Sequence, residues 1–154
     1  MGSYIHAKSL YDSEILVYGM ACLDMIGYFD DSAKSQSYPV KLMRFFYGSK
    51  GNFIMLTGRT GAGAFVKNFS TGFKKSATIK TKSFKASPSK VQRFGIDLSD
   101  HPNYWKFGYD ALMISNTANY RNPNYHRRTD TMETLDIPNM KKVIDAIASA
   151  IVGL

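Results

Sequence analysis

Cysteine is almost absent from this sequence: Cys22 stands alone among 154 residues. That excludes an intramolecular disulfide and any zinc site built on thiolates. A metal would have to be held by histidine and carboxylate, and histidine is scarce too, with three in the chain. Cys22 lies in the apolar run VYGMACLDMIGY (17–28), where a small buried hydrophobe is the ordinary reading. Long apolar runs are also missing. Residues 15–25 and 144–154 come nearest, and both fall short of the roughly 18 residues a membrane span needs. The start, MGSYIHAKSL, lacks the charged beginning and apolar centre of a signal peptide. No membrane partner is therefore expected, and the chain as it stands reads as cytoplasmic.

What is present suits a globular protein. The 44% hydrophobic and 14% aromatic content can fill a real core, and the length is that of one domain spanning 1–154. The net charge of +8 is uneven, with seven Lys and Arg and no Asp or Glu from Lys74 to Arg93. Such a run could contact nucleic acid or an acidic surface, or it could be a solvated strand and loop. No nucleic-acid-binding motif accompanies it, so nucleic acid is not expected as a partner.

Hydrophobic patterning alternates between strand and helix. EILVYGMACLDMIGY reads as a buried strand ending near Asp24, and GNFIMLTG (51–58) as a core strand between glycines. RTGAGAFVKNFSTGFKK is a glycine-rich turn leading into a helix, with Phe65, Phe69 and Phe73 on one face. ATIKTKSF alternates as a half-exposed strand would, and DALMIS (110–115) is a third apolar strand. The last helix has Asp136 as N-cap, Pro138 in its first turn, and a stripe of Met140, Val143, Ile144, Ile147 and Ile151. Together these predict an α/β fold, a three-layer sandwich around a mixed, mainly parallel sheet. Functional groups in such folds gather beyond the carboxyl ends of strands, where Asp24 and the stretch YRNPNYHRRTDT (120–131) both fall.

Each motif has a plain reading beside a functional one. GRTGAG (58–63) lacks the Gly-Lys-Ser/Thr ending of a phosphate loop and is better read as a turn and helix start. Asp24, after a mostly apolar run, is either a strand-end carboxylate or a metal ligand. SDH (99–101) is either a Ser-Asp helix cap with an exposed histidine or a pair, Asp100 and His101, closing a pocket behind the ligands. His126 is either a loop histidine or a ligand, with Asp130 four residues on to fix its tautomer or to cap the turn.

In combination the pieces are more specific. LDMIGY (23–28), SDH (99–101), ALMISNTANYRNPNYH (111–126) and DTMETLD (130–136) follow one another in an order and spacing that resembles the co-catalytic zinc aminopeptidases of the bacterial leucyl aminopeptidase type, relatives of glutaminyl cyclases. The resemblance covers nearly the whole chain. It implies an α/β sandwich, zinc as cofactor and a peptide as substrate. It also implies Asp24 as a ligand of one zinc, His126 as a ligand of the other, and Asp100 and His101 beside the site. Tyr120 and Arg121 match a loop bordering the substrate pocket. HRRTDT stands where relatives commonly have Thr-Pro after the histidine, which changes the stiffness and charge of that loop.

One departure is larger. A full member of that family has a His-x-Asp motif, whose aspartate bridges the metals, and a Glu-Glu pair supplying the general base and a further ligand. Neither occurs in this sequence. MGSYIHAKSL resembles the segment just after the Glu-Glu pair, so the chain resembles the C-terminal part of such an enzyme, without its N-terminal strands. Two ligands are fewer than the three or so protein ligands zinc usually takes. Weak or absent zinc binding and no catalytic residue are therefore expected of this chain alone. The other reading is a non-catalytic module derived from the fold, self-associating through an opened sheet edge.

Overall fold

The computed structural model describes residues 2–154, save the side chains of Pro88 and Arg93. Four strands, β1 (Met20–Leu23), β2 (Phe53–Arg59), β3 (Lys80–Ala86) and β4 (Ala111–Ser115), form one sheet in the order β1-β4-β2-β3. The pairs β1/β4 and β2/β3 are parallel and β2/β4 is antiparallel, so the sheet is mixed. Among the described residues six α-helices accompany it: α1 (Gly2–Asp12), α2 (Met43–Tyr47), α3 (Ala64–Ser76), α4 (Pro88–Arg93), α5 (His101–Trp105) and α6 (Ile137–Val152).

The burial of β2 follows from its place between two neighbours. Phe53, Ile54, Met55 and Leu56 are all buried, as a continuous apolar run should be when both sheet faces are covered. One face carries α3 and α6. Phe65, Phe69 and Phe73 pack there against Leu56, Leu112, Ile114 and α6. The two helices approach closely at Gly72, where an added Cβ would stand 3.3 Å from the Ala150 Cα. The other face carries α1 and α5, with Ala7 and Tyr104 against Ala111. This is the three-layer α/β arrangement expected.

Two readings need correction. The buried face of α6 is Val143, Ala146, Ile147 and Ala150, while Ile144 and Ile151 lie about half exposed. Alanines, not the larger isoleucines, permit the close approach of α3. The first strand is also shorter and less buried than its composition suggested. β1 is an edge strand with a neighbour on one side only, Cys22 alone is buried within it, and Leu16 just before it is 99% exposed. α1 has little apolar periodicity to announce it in the sequence, since Ala7 is its one buried residue.

Candidate functional site

Parallel pairing of β1 with β4 brings their carboxyl ends side by side. The Asp24 N–H donates to the Ile114 carbonyl at 3.1 Å, and the Asn116 N–H to the Met25 carbonyl at 2.7 Å. Both loops then turn sharply through left-handed residues, Met25 (φ 58°), Thr117 (φ 74°) and Ala118 (φ 45°), none of them glycine. Such conformations persist only where surrounding bonds enforce them. Here the buried Asn116 side chain accepts from the Ala118 N–H at 3.0 Å and donates to the Tyr28 carbonyl at 3.2 Å. Ser115 Oγ accepts from the Thr117 N–H at 2.9 Å, and Gln36 Nε2 donates to Thr117 Oγ1 at 2.8 Å.

A cavity of about 220 Å³ opens beside these turns. Its floor is the sheet, with Met55, Thr57, Met113 and Ser115 facing up, and Phe84, Phe94 and Ile96 wall one side. Tyr38, Met43, Asp24, Ser99, Tyr120 and Tyr125 are also in the lining, beside uncharged polar residues such as Gln36 and Asn119. Asp24 is the one charged residue among them. Burial pushes the Tyr38 hydroxyl up to about 12, so it stays protonated and donates to the Tyr47 carbonyl at 3.1 Å.

The residues singled out in the sequence fall into two groups. Asp24 and Tyr120 line the cavity, and the Tyr120 carbonyl is held by the Ser37 N–H and hydroxyl at 2.8 and 2.7 Å. His126 is exposed, in a left-handed conformation (φ 56°), with its ring stacked on Tyr125 at 4.0 Å between centroids. It thus stands next to a cavity residue without lining the cavity itself. Asp130 accepts from Asn122 Nδ2 at 3.1 Å, and no hydrogen bond to His126 is present.

The remaining three lie off the cavity lining. Arg121 is buried, its Nε on Gln36 Oε1 at 2.8 Å and its Nη1 on the Phe53 carbonyl at 2.7 Å. Burial brings its guanidinium down to about 10. It braces the loop from beneath and is not among the residues that line the cavity. Asp100 is exposed at the start of α5 and makes no side-chain cap bond. His101 is fully buried, contrary to the exposed histidine of an ordinary cap. Its ring meets Trp105 edge-on at 4.7 Å, and neither ring nitrogen has a partner. Burial lowers its pKa to about 3, so the ring is neutral. Of the SDH motif it is Ser99 that reaches the cavity, its hydroxyl 3.1 Å from Cys22 Sγ. Gln36, Ser37, Tyr38 and Ser99 carried no local signal, since distant packing brings them here.

The zinc implied by the resemblance does not fit the residues of this chain alone. Among the described residues no group of three or more His, Cys, Asp and Glu is placed to hold a metal ion. Asp24 and His126 are two oxygen and nitrogen donors without a third.

Comparison with known proteins agrees with the fold. Residues 23–151 match the model of Peptidase family M28. Over 147 residues the chain is 38% identical to Uncharacterized protein YfbL of Escherichia coli (strain K12), covering 96% of this chain and 44% of that protein. Among solved structures it is similar to an aminopeptidase from Aneurinibacillus sp. strain AM-1 (TM-score 0.63, 20% identity, 97% of this chain and 29% of that one). It is likewise similar to the LapA aminopeptidase of Legionella pneumophila (TM-score 0.64, 16% identity, 97% and 33%). LapB from Legionella pneumophila is a third (TM-score 0.62, 19% identity, 99% and 36%). The chain spans less than half the length of YfbL and about a third of each solved structure.

Proposed function

The chain belongs to peptidase family M28, and from that membership we propose that it carries one part of a zinc aminopeptidase active site. The observation that supports this reading is the cavity at the carboxyl ends of β1 and β4, lined by apolar and uncharged polar residues with Asp24 as its one charged group. A cavity with three methionines and five aromatic rings in its walls, and no cation, suits the uncharged side chain of a peptide's first residue. Asp24 and His126 are what this chain offers toward zinc. A bridging aspartate from a His-x-Asp motif and a Glu-Glu pair would complete the ligands and supply the base that takes a proton from water. This sequence contains neither motif. Alone, the chain is expected to bind zinc weakly and to leave peptides intact.

The test is a chimera joining the part of YfbL that this chain does not match to the present sequence. Zinc uptake and hydrolysis of an aminoacyl anilide, both lost in Asp24→Asn and His126→Gln variants that stay folded, are the expected results. A folded chimera with neither property would overturn the reading.

A second reading, a non-catalytic association module, is favoured by one observation. β1 is a bare edge, with Leu23 exposed in it and Leu16 and Tyr18 exposed just before it. Such an edge invites pairing with another copy.

A further inference from the structure

From Ser32 to Ile96 the sequence holds thirteen of its 20 Lys and Arg and none of its 12 Asp and Glu. The fold gathers much of this segment at one end of the sheet, because β3 is the edge strand beyond β2 and α2 is fastened against it. The Tyr47 hydroxyl donates to the Ser83 carbonyl at 3.1 Å, and the Tyr47 ring meets Phe84 at 6.5 Å. The Lys82 ammonium donates to the Tyr47 carbonyl and lies 4.3 Å over the Phe53 ring.

Held in this way, α2 turns apolar side chains outward. Leu42, Phe45 and Phe46 are 60%, 86% and 77% exposed. Exposed Lys41, Arg44 and Lys50 flank them in the sequence, and exposed Lys80 adds charge at the near end of β3. The two salt bridges among the described residues, Lys8–Asp12 and Lys141–Asp145, both lie outside this segment. Asp30 and Asp31 come back beside Lys50, at Gly51 and Asn52, and with them counted the patch still has net positive charge around large apolar groups.

The partner must be anionic and must also take in phenylalanine side chains. A bilayer with anionic headgroups meets both demands, since basic residues are drawn to its surface while aromatic and aliphatic groups enter the boundary below the headgroups. A nucleic acid would satisfy the charge but not the apolar centre. Consecutive residues on a helix point about 100° apart, so Phe45 and Phe46 make no flat platform for successive bases. A fluid interface accepts rings at any angle.

We propose that the α2–β3 end of this protein docks on the surface of anionic phospholipid membranes. Leu42, Phe45 and Phe46 enter the interface, and Lys41, Arg44, Lys50 and Lys80 meet the headgroups. This revises the sequence expectation of no membrane partner, which rested on spanning segments; among the described residues no helix is long and apolar enough to cross a membrane. Met43, within the same helix, lines the cavity, so the docked face adjoins the candidate site.

The experiment is co-sedimentation of the whole chain with vesicles of phosphatidylcholine and phosphatidylglycerol in equal amounts, and with vesicles of phosphatidylcholine alone. Binding is expected to the mixed vesicles, to fall with added salt, and to be slight on the neutral ones. Phe45→Ser with Phe46→Ser, and separately Lys41→Glu with Arg44→Glu, should each weaken it by roughly tenfold or more. All four side chains are exposed, so melting should be unchanged, and Ile151→Ser on α6 should leave binding intact. Equal binding to both vesicle types, or binding indifferent to both double variants, would overturn the proposal. So would salt-dependent binding of an oligonucleotide with no binding of mixed vesicles, which would assign the patch to nucleic acid.

Discussion

The Arg121 guanidinium lies over the Phe53 ring, 4.5 Å from its centroid, and donates to the Phe53 carbonyl at 2.7 Å. One contact thus ties the loop after β4 to the first residue of β2. Through Gln36 the same arginine reaches the loop that holds Thr117 and Tyr120. Its packing is equally tight from the far side, where a Cβ on Gly51 would stand 2.8 Å from the Arg121 side chain.

Arg121→Ala should leave the Phe53 carbonyl and Gln36 Oε1 buried without donors, and is expected to cost about 2–4 kcal/mol in denaturant unfolding. Arg121→Lys should recover only a part, since an ammonium cannot reproduce the planar fork. A loss for Arg121→Ala no larger than that of a surface substitution would contradict the bracing role.

Acid should weaken the fold through His101. Its folded pKa of about 3 lies below the ordinary 6.5, so the unfolded chain takes the proton first as pH falls. Stability from this group is complete above pH 6.5 and is lost progressively toward pH 3, with a slope of at most about 1.4 kcal/mol per pH unit. His101→Phe keeps a ring against Trp105 and should flatten that acid limb by about one proton. Unfolding curves measured across this range check it, and an unchanged slope in the variant would count against it.

Asp110 caps α3 from outside the helix. Its carboxylate accepts from the Gly63 and Val66 N–H groups, both at 3.0 Å, and so fixes the helix start against the entrance to β4. Asp110→Ala should cost about 1–2 kcal/mol, as lost helix caps do, and Asp110→Asn less. Thermal melting of the two variants would show the order; equal losses would argue that one acceptor oxygen without the charge gives no capping, and that both oxygens of the carboxylate are needed.

If the bare β1 edge drives association, sedimentation velocity should show a concentration-dependent dimer that Leu23→Lys disperses, because a charge in an edge strand blocks pairing. A monomer at all concentrations would remove this reading.

Much of the fold was legible because burial and pattern coincide. β2 is apolar along its whole length and buried along it, and Phe65, Phe69 and Phe73 declare the face of α3 that they bury. Asp136 caps α6 as read, accepting from the Asn139 N–H at 3.0 Å. Where a small residue does the packing, pattern misleads: Ala146 and Ala150 are buried while Ile144 and Ile151 are not. The site was half legible. Asp24 and Tyr120 follow strand ends, which sequence can locate. The rest of the cavity comes from Gln36–Tyr38, α2 and Ser99, whose place depends on contacts across the chain. His101 was hidden for a related reason, since a polar letter at a helix start gives no sign that α1 and β4 will cover it.

On the function proposed, this chain holds part of a peptidase site and lacks the donors to work alone. Metal analysis of the purified chain, with hydrolysis of leucine p-nitroanilide assayed in added zinc, tests it most directly. The expected result is zinc well below one ion per chain after dialysis, and no turnover. One or two tightly held zinc ions with turnover, both abolished by Asp24→Asn or His126→Gln, would contradict it.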